Sequence, residues 1–169
     1  MMERRPNEIK RGVEQTELSG MKRGLKIYIA SSWKNKAKVR EIANQLRKDG
    51  HKVYDFTDPE TRKVPEELPP DAVREFDPEK HKYSEFIRNR NFYASVMDNQ
   101  EAIRKCDLVI MLLPCGNDSH ADWAYGVGQG KASIVTGQPQ KGGQSYTQLW
   151  ADKIIDNPDD IYEYIKENY

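Results

Sequence analysis

Residues 108–131 have the sequence LVIMLLPCGNDSHADWAYGVGQGK, and the expected fold is built around this stretch. Residues 109–113 form a continuous apolar run of strand length, which is typical of a strand buried on both faces of a parallel sheet. Pro114 and Gly116 end the run. Three good helix-capping residues follow, so we expect a helix that starts within 117–119 and extends to about Gly130.

The segments before this stretch predict a β-α-β unit. Residues 25–30 and 51–56 are the two strands, because β-branched and aromatic residues are frequent in both. The helix between them is predicted by apolar residues at i, i+3, i+4 and i+7 spacing, and Gly50 ends it. Those apolar positions are Val39, Ile42, Ala43 and Leu46.

The remaining segments continue the same alternation. Residues 83–106 have a helical pattern that is interrupted near Asn91, and residues 132–137 and 153–155 predict two further strands. A last amphipathic helix begins at Pro158. Core contacts are expected from Phe86, Ile87, Val96 and Ile103 in the first of these helices. In the last helix, one face carries Ile161, Tyr162 and Ile165.

The order β-α-β-insertion-α-β-α-β-β-α predicts an α/β fold of flavodoxin-like type, with a parallel sheet of about five strands and helices on both faces. We expect one domain at 25–169, preceded by a flexible arm or short helix at 1–24. Residues 57–82 contain five prolines and form an irregular insertion. Such an insertion is either a lid or substrate loop, or a disordered surface excursion.

Composition restricts the class of protein. Lys plus Arg and Asp plus Glu number 27 each in 169 residues, so overall charge gives no case for a nucleic-acid polymer or an anionic membrane, although a local basic patch stays open. The chain has no transmembrane-length apolar segment and no signal peptide, so we expect a cytoplasmic protein. Cys106 and Cys115 flank one strand, which favours reduced thiols, and the Cys and His spacing predicts no metal site.

Two places carry residues suited to chemistry. Loops beyond the carboxyl ends of parallel strands form the ligand crevice of such sheets, and His120 and Asp122 lie there in the first turn of the central helix. The alternative is an ordinary strand-to-helix junction. The loop SSWKN at 31–35 has hydroxyls, free N–H groups and Lys34, which together suit a phosphate or carboxylate. It contains no GxGxxG or Walker A motif, and a capped helix with a solvated lysine is its other interpretation.

Taken together, these segments resemble the nucleoside 2-deoxyribosyltransferase-like superfamily, which includes deoxyribosyltransferases and nucleotide N-glycosidases. The resemblance covers about residues 25–137. The matching segments are ASSWKN at 30–35, YDF at 54–56, LPCG at 113–116 with His120, and GQGK at 128–131.

The resemblance implies a carboxylate nucleophile in the turn after the central strand, where the family has Glu and this chain has Asp122. Asp is one methylene shorter, so it reaches about 1.5 Å less far. A displacement of that order can cost about 100-fold in rate unless backbone or substrate compensates. A second departure is Asn99, which occupies the position of a family Asp. Either Asp98 or His120 then supplies the proton for the leaving base, or that step is absent. The alternative is that Asp98 lies on a solvated face of its helix and that His120 is a surface or capping residue.

The resemblance further implies that Ser31, Ser32, Lys34 and Asn35 hold a phosphate or sugar, while Trp33 stacks on a base or simply packs. We also expect Asn99, Gly116 and Ser119 to contact the substrate. The implied activity is N-glycosidase or 2-deoxyribosyltransferase action on a small-molecule nucleoside or nucleotide, without a cofactor. The alternatives are a non-catalytic nucleotide-binding or sensor module and a TIR-like NAD glycohydrolase.

The last helix bears on oligomeric state. Tyr162, Tyr164 and Tyr169 are aromatic residues that we expect at the surface there. They suit a homodimer interface or serve as ordinary surface residues.

Overall fold

The computed structural model describes residues 24–58, 60, 76–88 and 90–169, and every structural statement below refers to these. The predicted N-terminal arm at 1–24 lies outside them except for its last residue. Much of the predicted insertion also lies outside, namely residues 59 and 61–75. The two expectations for these segments therefore stay predictions.

The centre of the molecule is a parallel sheet of five strands in the order β2-β1-β3-β4-β5. The apolar run of the sequence supplies the central strand β3, which is buried along its whole length. The flavodoxin-like fold class is confirmed. The strands are β1 (Lys26–Ala30), β2 (Lys52–Asp55), β3 (Leu108–Leu112), β4 (Ala132–Thr136) and β5 (Lys153–Ile155).

Helices cover both faces of the sheet. The helices α1 and α5 pack on one face, and α3 and α4 pack on the other. Short 3₁₀ turns occur at 33–35, 146–150 and 158–160. The helices are α1 (Lys36–Lys48), α2 (Tyr83–Phe86), α3 (Arg90–Lys105), α4 (Asn117–Gly128) and α5 (Ile161–Asn168).

The α1/α5 face confirms the helical pattern of the sequence. All four apolar positions predicted for α1 are buried against the strands, together with Ile161 and Ile165 of α5. Gly50 has φ +92°, a left-handed conformation that glycine adopts without strain, and it follows the end of α1 as predicted.

The α3/α4 face is packed closely at its centre. A Cβ on Gly126 of α4 would lie 2.5 Å from Cγ1 of Val109 on β3, so this glycine lets the helix approach the sheet. The buried Trp123 of the same helix also packs here. The helix α4 begins at Asn117 as expected, but its N-cap is Gly116, and no side chain caps it.

Two predicted core contacts of the helical region are wrong. Ile87 and Val96 are 47% and 50% exposed, whereas Ile103 is buried as expected. The buried side of α3 carries a polar residue, Asp98, and Val96 lies on the outer surface of that helix. Ile87 is not part of α3; it directly follows the short helix α2. The helix α2 ends at Phe86 and α3 begins at Arg90, so the interruption comes slightly before the predicted position.

The terminal helix also differs from expectation. Tyr162 and Tyr164 are partly buried and pack against the core of the α1/α5 face, while Tyr169 is 37% exposed. The first two are therefore not the free surface aromatics that suggested a dimer, and the homodimer stays a prediction.

Two further expectations concern the thiols and the membrane. Cys106 and Cys115 are both free. Within the part of the chain that the structure describes, no helix has the length and apolar character needed to cross a bilayer.

Candidate functional site

The carboxylate of Asp122 is held by two donors from different elements. The hydroxyl of Tyr28 on β1 donates to its Oδ2 at 2.8 Å, and Nδ2 of Asn99 on α3 donates to the same oxygen at 2.9 Å. Among the described residues, no hydrogen bond reaches the other oxygen, Oδ1. Since Asp122 is only partly buried, Oδ1 is the atom left to act on a ligand.

A second tyrosine extends this arrangement. Tyr54 on β2 pairs with Tyr28 in the sheet register, and their rings stack with centroids 5.2 Å apart and planes 12° apart. The hydroxyl of Tyr54 lies 2.9 Å from Oδ2 of Asp98 and 3.1 Å from Oδ1 of Asn99. These five residues form one hydrogen-bonded cluster, which we call the tyrosine–carboxylate network. Its members are Tyr28, Tyr54, Asp98, Asn99 and Asp122.

Burial and hydrogen bonding act in opposite directions on Asp122. Burial raises the pKa of its carboxyl above the ordinary value, while the hydrogen bonds from Tyr28 and Asn99 lower it, and the nearby charge of Asp118 raises it. Burial is the largest of these effects. The carboxylate form of Asp122 therefore depends on its two donors.

Tyr28 is suited to the role of donor. Its burial, followed by the charge of Asp122, raises the pKa of the phenol well above its ordinary value. The phenol is consequently neutral, and it keeps the proton that it donates to the carboxylate.

Asp98 and Asp122 belong to one network but do not bond to each other. Asp98 is buried, with 7% exposure, and it accepts a hydrogen bond from the hydroxyl of Tyr54. Asn99 lies between the two acids, since it accepts from Tyr54 and donates to Asp122. The structure thus brings both predicted acids together through two intermediate side chains.

His120 has a different set of neighbours. Its Nδ1 lies 3.0 Å from the carbonyl oxygen of Gly116 and 3.7 Å from Sγ of Cys115. Its Nε2 is buried and has no hydrogen-bond partner among the described residues. Ser119 of the same turn is also buried. Burial raises the pKa of Cys115 to about 11, so this cysteine is a protonated thiol at neutral pH.

The β1–α1 loop uses two of its predicted binding residues to attach itself to the end of β3. Oγ of Ser31 donates to the carbonyl oxygen of Leu112 at 2.9 Å. Nδ2 of Asn35 donates to Oγ of Ser31 at 3.1 Å and to the carbonyl oxygen of Pro114 at 2.7 Å. Because these donors already have protein acceptors, a role in anion binding stays a prediction that falls mainly on Ser32 and Lys34.

The other residues of that loop are more accessible. Oγ of Ser32 accepts from the backbone N–H of Lys34 at 3.3 Å, and Lys34 is exposed. Trp33 is 47% exposed and meets Phe56 edge to face, with ring centroids 5.2 Å apart. Nζ of Lys36 lies 5.7 Å from the Trp33 ring. An aromatic surface with a cation beside it is therefore present at the carboxyl end of β1.

The sequence did not assign roles to Tyr28 and Tyr54. The available signal was their position, since each is the third residue of its strand and the strands are neighbours in this fold class. As for metals, no group of three or more potential ligands occurs among the described residues.

Comparison with known proteins gives a structural likeness but no match in sequence. No family model matches the chain, and no curated protein matches its sequence. A solved structure with a similar fold is that of Clostridium botulinum CMP N-glycosidase, BcmB, with 16% identity, a TM-score of 0.48, and coverage of 85% of this chain and 98% of that chain.

Proposed function

We propose that this protein cleaves the N-glycosidic bond of a nucleoside or nucleotide, with Asp122 placed at C1′ of the sugar. The observation that carries the proposal is the convergence of Tyr28 and Asn99 on one oxygen of the Asp122 carboxylate. Cleavage at C1′ needs a carboxylate that stays in position while positive charge develops on the sugar. A carboxylate anchored through Oδ2, with Oδ1 available, meets that requirement.

The proposed reaction has two steps. Oδ1 of ionised Asp122 attacks C1′ while the bond from C1′ to the base nitrogen breaks, and the electron pair of that bond stays on the base, which takes up a proton. Water then attacks C1′ of the glycosyl ester, loses a proton and releases the sugar and the carboxylate. A second base in place of water gives 2-deoxyribosyl transfer. If Asp122 acts only by electrostatic stabilisation, the same bonds break without the ester.

The proton for the leaving base has two candidate sources. Asp98 is connected to Asp122 through Tyr54 and Asn99, whereas His120 lies in the first turn of α4, with its Nδ1 next to the carbonyl oxygen of Gly116. The variants Asp98→Asn and His120→Gln separate them. Loss of the basic limb of the pH–rate profile in one variant identifies the acid.

Recognition of the substrate is proposed for the β1–α1 loop. The accessible Trp33 offers a face on which a base can stack, and the exposed Lys34 with the hydroxyl of Ser32 can meet a phosphate. Gly116, the N-cap of α4, and Ser119, in the first turn of that helix, are proposed to contact the sugar side of the same ligand.

The test is base release, followed by chromatography, from ribonucleosides, deoxyribonucleosides, their 5′-monophosphates including CMP, and NAD. Wild type is compared with Asp122→Asn, which keeps the size of the side chain. The matched control is Asp118→Asn, the same change at an exposed position one turn earlier on α4. We expect release from at least one substrate, its loss in Asp122→Asn, and its retention in Asp118→Asn.

Other outcomes point to the alternatives. Release from NAD but not from the monophosphates would favour a NAD glycohydrolase. No release from any substrate, with a nucleotide that still raises the melting temperature, would overturn the enzyme and favour a binding module. The binding module is motivated by Asp122 and Asn99, which occupy positions where the resemblance implies Glu and Asp.

A further inference from the structure

Asn99 is the one member of the tyrosine–carboxylate network whose side chain has no titratable group. It lies between the hydroxyl of Tyr54, 3.1 Å from its Oδ1, and the carboxylate of Asp122, 2.9 Å from its Nδ2. An ionised carboxylate oxygen only accepts hydrogen bonds, so the atom facing Asp122 must be the donor Nδ2. The amide is therefore fixed in one orientation by its two partners.

We propose that Asn99 is a positioning residue that holds Asp122 in its ionised form, and that a carboxyl group at position 99 would instead share a proton with Asp122. This inference deepens the proposed function and rests on it for its consequence in catalysis. The effect of position 99 on whether Asp122 is protonated is argued from the geometry alone.

The first step of the argument is the contact distance. A carboxyl group built in place of the amide would set an oxygen about where Nδ2 now lies, 2.9 Å from Oδ2 of Asp122. Two carboxylates at such a distance cannot both be ionised, and the pair titrates as one unit with one proton held far more tightly. The neutral amide avoids this because it supplies a donor and no charge.

The second step is the surroundings of Asp122. Among the described residues, the titratable groups around it are Tyr28 from β1, Asp98 on α3 beyond Tyr54 from β2, and Asp118 on its own helix. Burial and the charge of Asp118 favour the protonated acid, and the two hydrogen bonds favour the ion. Its hydrogen-bond partners, Tyr28 and Asn99, are both neutral, so no ion pair fixes the charge, and each donor matters.

The consequence is that the ionisation on which activity depends belongs to Asp122 alone. A single group then sets the acidic limb of the pH–rate profile. With an acid at position 99, the acidic limb would belong to the pair and would lie at higher pH.

The test follows the carboxyl carbon of Asp122 by ¹³C NMR through a pH titration of the full chain, with the signal assigned by its loss in Asp122→Asn. Asn99→Asp is compared with wild type and with Gln100→Glu, which makes the same amide-to-acid change at the next residue of α3. We expect Asn99→Asp to convert the titration of Asp122 to two steps with its midpoint moved up by more than about one pH unit, and Gln100→Glu to move it much less.

A second variant keeps the test decisive if Asn99→Asp does not fold. Asn99→Leu removes the donor without adding an acid, so we expect one step, with a midpoint higher than in wild type. An unchanged titration of Asp122 in Asn99→Asp, or in Asn99→Leu, would overturn the proposal.

The activity arm of the same experiment separates the two proposals. Where base release is measurable, its acidic limb is expected to move up in Asn99→Asp together with the NMR midpoint. If the NMR midpoint moves as expected but wild type releases no base from any substrate, the proposed function fails while the role of Asn99 stands. If wild type releases base but neither the acidic limb nor the NMR midpoint changes in the variants at position 99, the proposed function stands and the role of Asn99 fails.

Discussion

Ile27 and Ile29 of β1 face the α1/α5 side of the sheet and are buried among aliphatic side chains, whereas Tyr28 between them faces α3 and α4 and bonds to Asp122. Successive side chains of one strand thus lie in two different environments, on opposite faces of the sheet. The first is an apolar core whose burial stabilises the fold. The second contains three polar residues of α3 and α4, and such groups cost stability unless they are hydrogen bonded.

The contrast shows where selection for function is expected to act. The α1/α5 core is explained by packing alone. Packing alone does not explain the α3/α4 face, which carries the tyrosine–carboxylate network and which we call the network face. Aliphatic residues could fill this face without burying part of a carboxylate whose pKa is raised. Residues that reduce stability yet are held in place by hydrogen bonds are typical of functional sites. The predictions below separate the two faces.

The largest expected effect on stability belongs to the α1/α5 face. Ile110 of the central strand is fully buried in that core. Ile110→Ala is expected to lower the free energy of unfolding by about 2–5 kcal/mol, because it removes apolar contacts and leaves a cavity. Thermal unfolding should show a fall in melting temperature of roughly 5–15 °C. Base release per folded molecule should stay close to wild type; a loss comparable to that of an Asp122 variant would mean that the two faces are not separate in function.

A smaller effect on stability and a larger one on chemistry are expected from Tyr28→Phe. The ring keeps its stack on Tyr54, but Asp122 loses one of its two donors. A hydrogen bond to a charged group is worth about 1.5–3 kcal/mol, so base release should fall roughly 10- to 100-fold near neutral pH. The acidic limb should also move to higher pH, since the lost bond had lowered the pKa of Asp122. Steady-state rates measured across pH give both the fall in rate and the shift of the acidic limb. An acidic limb at the same pH as in wild type would show that Tyr28 does not control the ionisation of Asp122.

The smallest effect is a gain in stability that depends on pH. Burial raises the pKa of Asp122 in the folded protein, so the folded state holds the proton more tightly than the unfolded chain does. Stability therefore falls as pH rises between the unfolded and the folded pKa, and the ionised carboxylate costs stability above that window. Asp122→Asn should raise the melting temperature at about pH 7, and the gain should disappear at about pH 3. A gain of equal size at both pH values would assign it to packing instead.

Much of the fold could be predicted from the sequence because its signals are local. The apolar run of β3 and the spacing of Val39, Ile42 and Leu46 depend on neighbouring residues, and both were confirmed. The helical region before β3 was partly wrong, since Ile87 and Val96 are exposed. Helical spacing does not reveal that the buried side of α3 carries Asp98, because a polar residue is buried there only when a distant partner such as Tyr54 bonds to it.

The site was less predictable than the fold. Asp122, Asp98 and Asn99 were singled out from the resemblance and from their chemistry, and the structure joins them in one network. Tyr28 and Tyr54 were not given roles, because their stacking depends on the register of β1 against β2. Ser31 and Asn35 resemble an anion-binding loop in sequence, but the carbonyl groups that they bond belong to the end of β3 and to Pro114 just after it, about 80 residues away.

The most direct test of the account compares one carboxylate on the network face with one methylene on the other face. Base release at saturating substrate, per folded molecule, is measured for wild type, Asp122→Ala and Ile110→Val. We predict a loss of at least about 1,000-fold for Asp122→Ala, whose reacting group is gone, and less than about threefold for Ile110→Val. An Asp122→Ala protein that keeps its rate within about tenfold of wild type would contradict the assignment of the chemistry to this carboxylate.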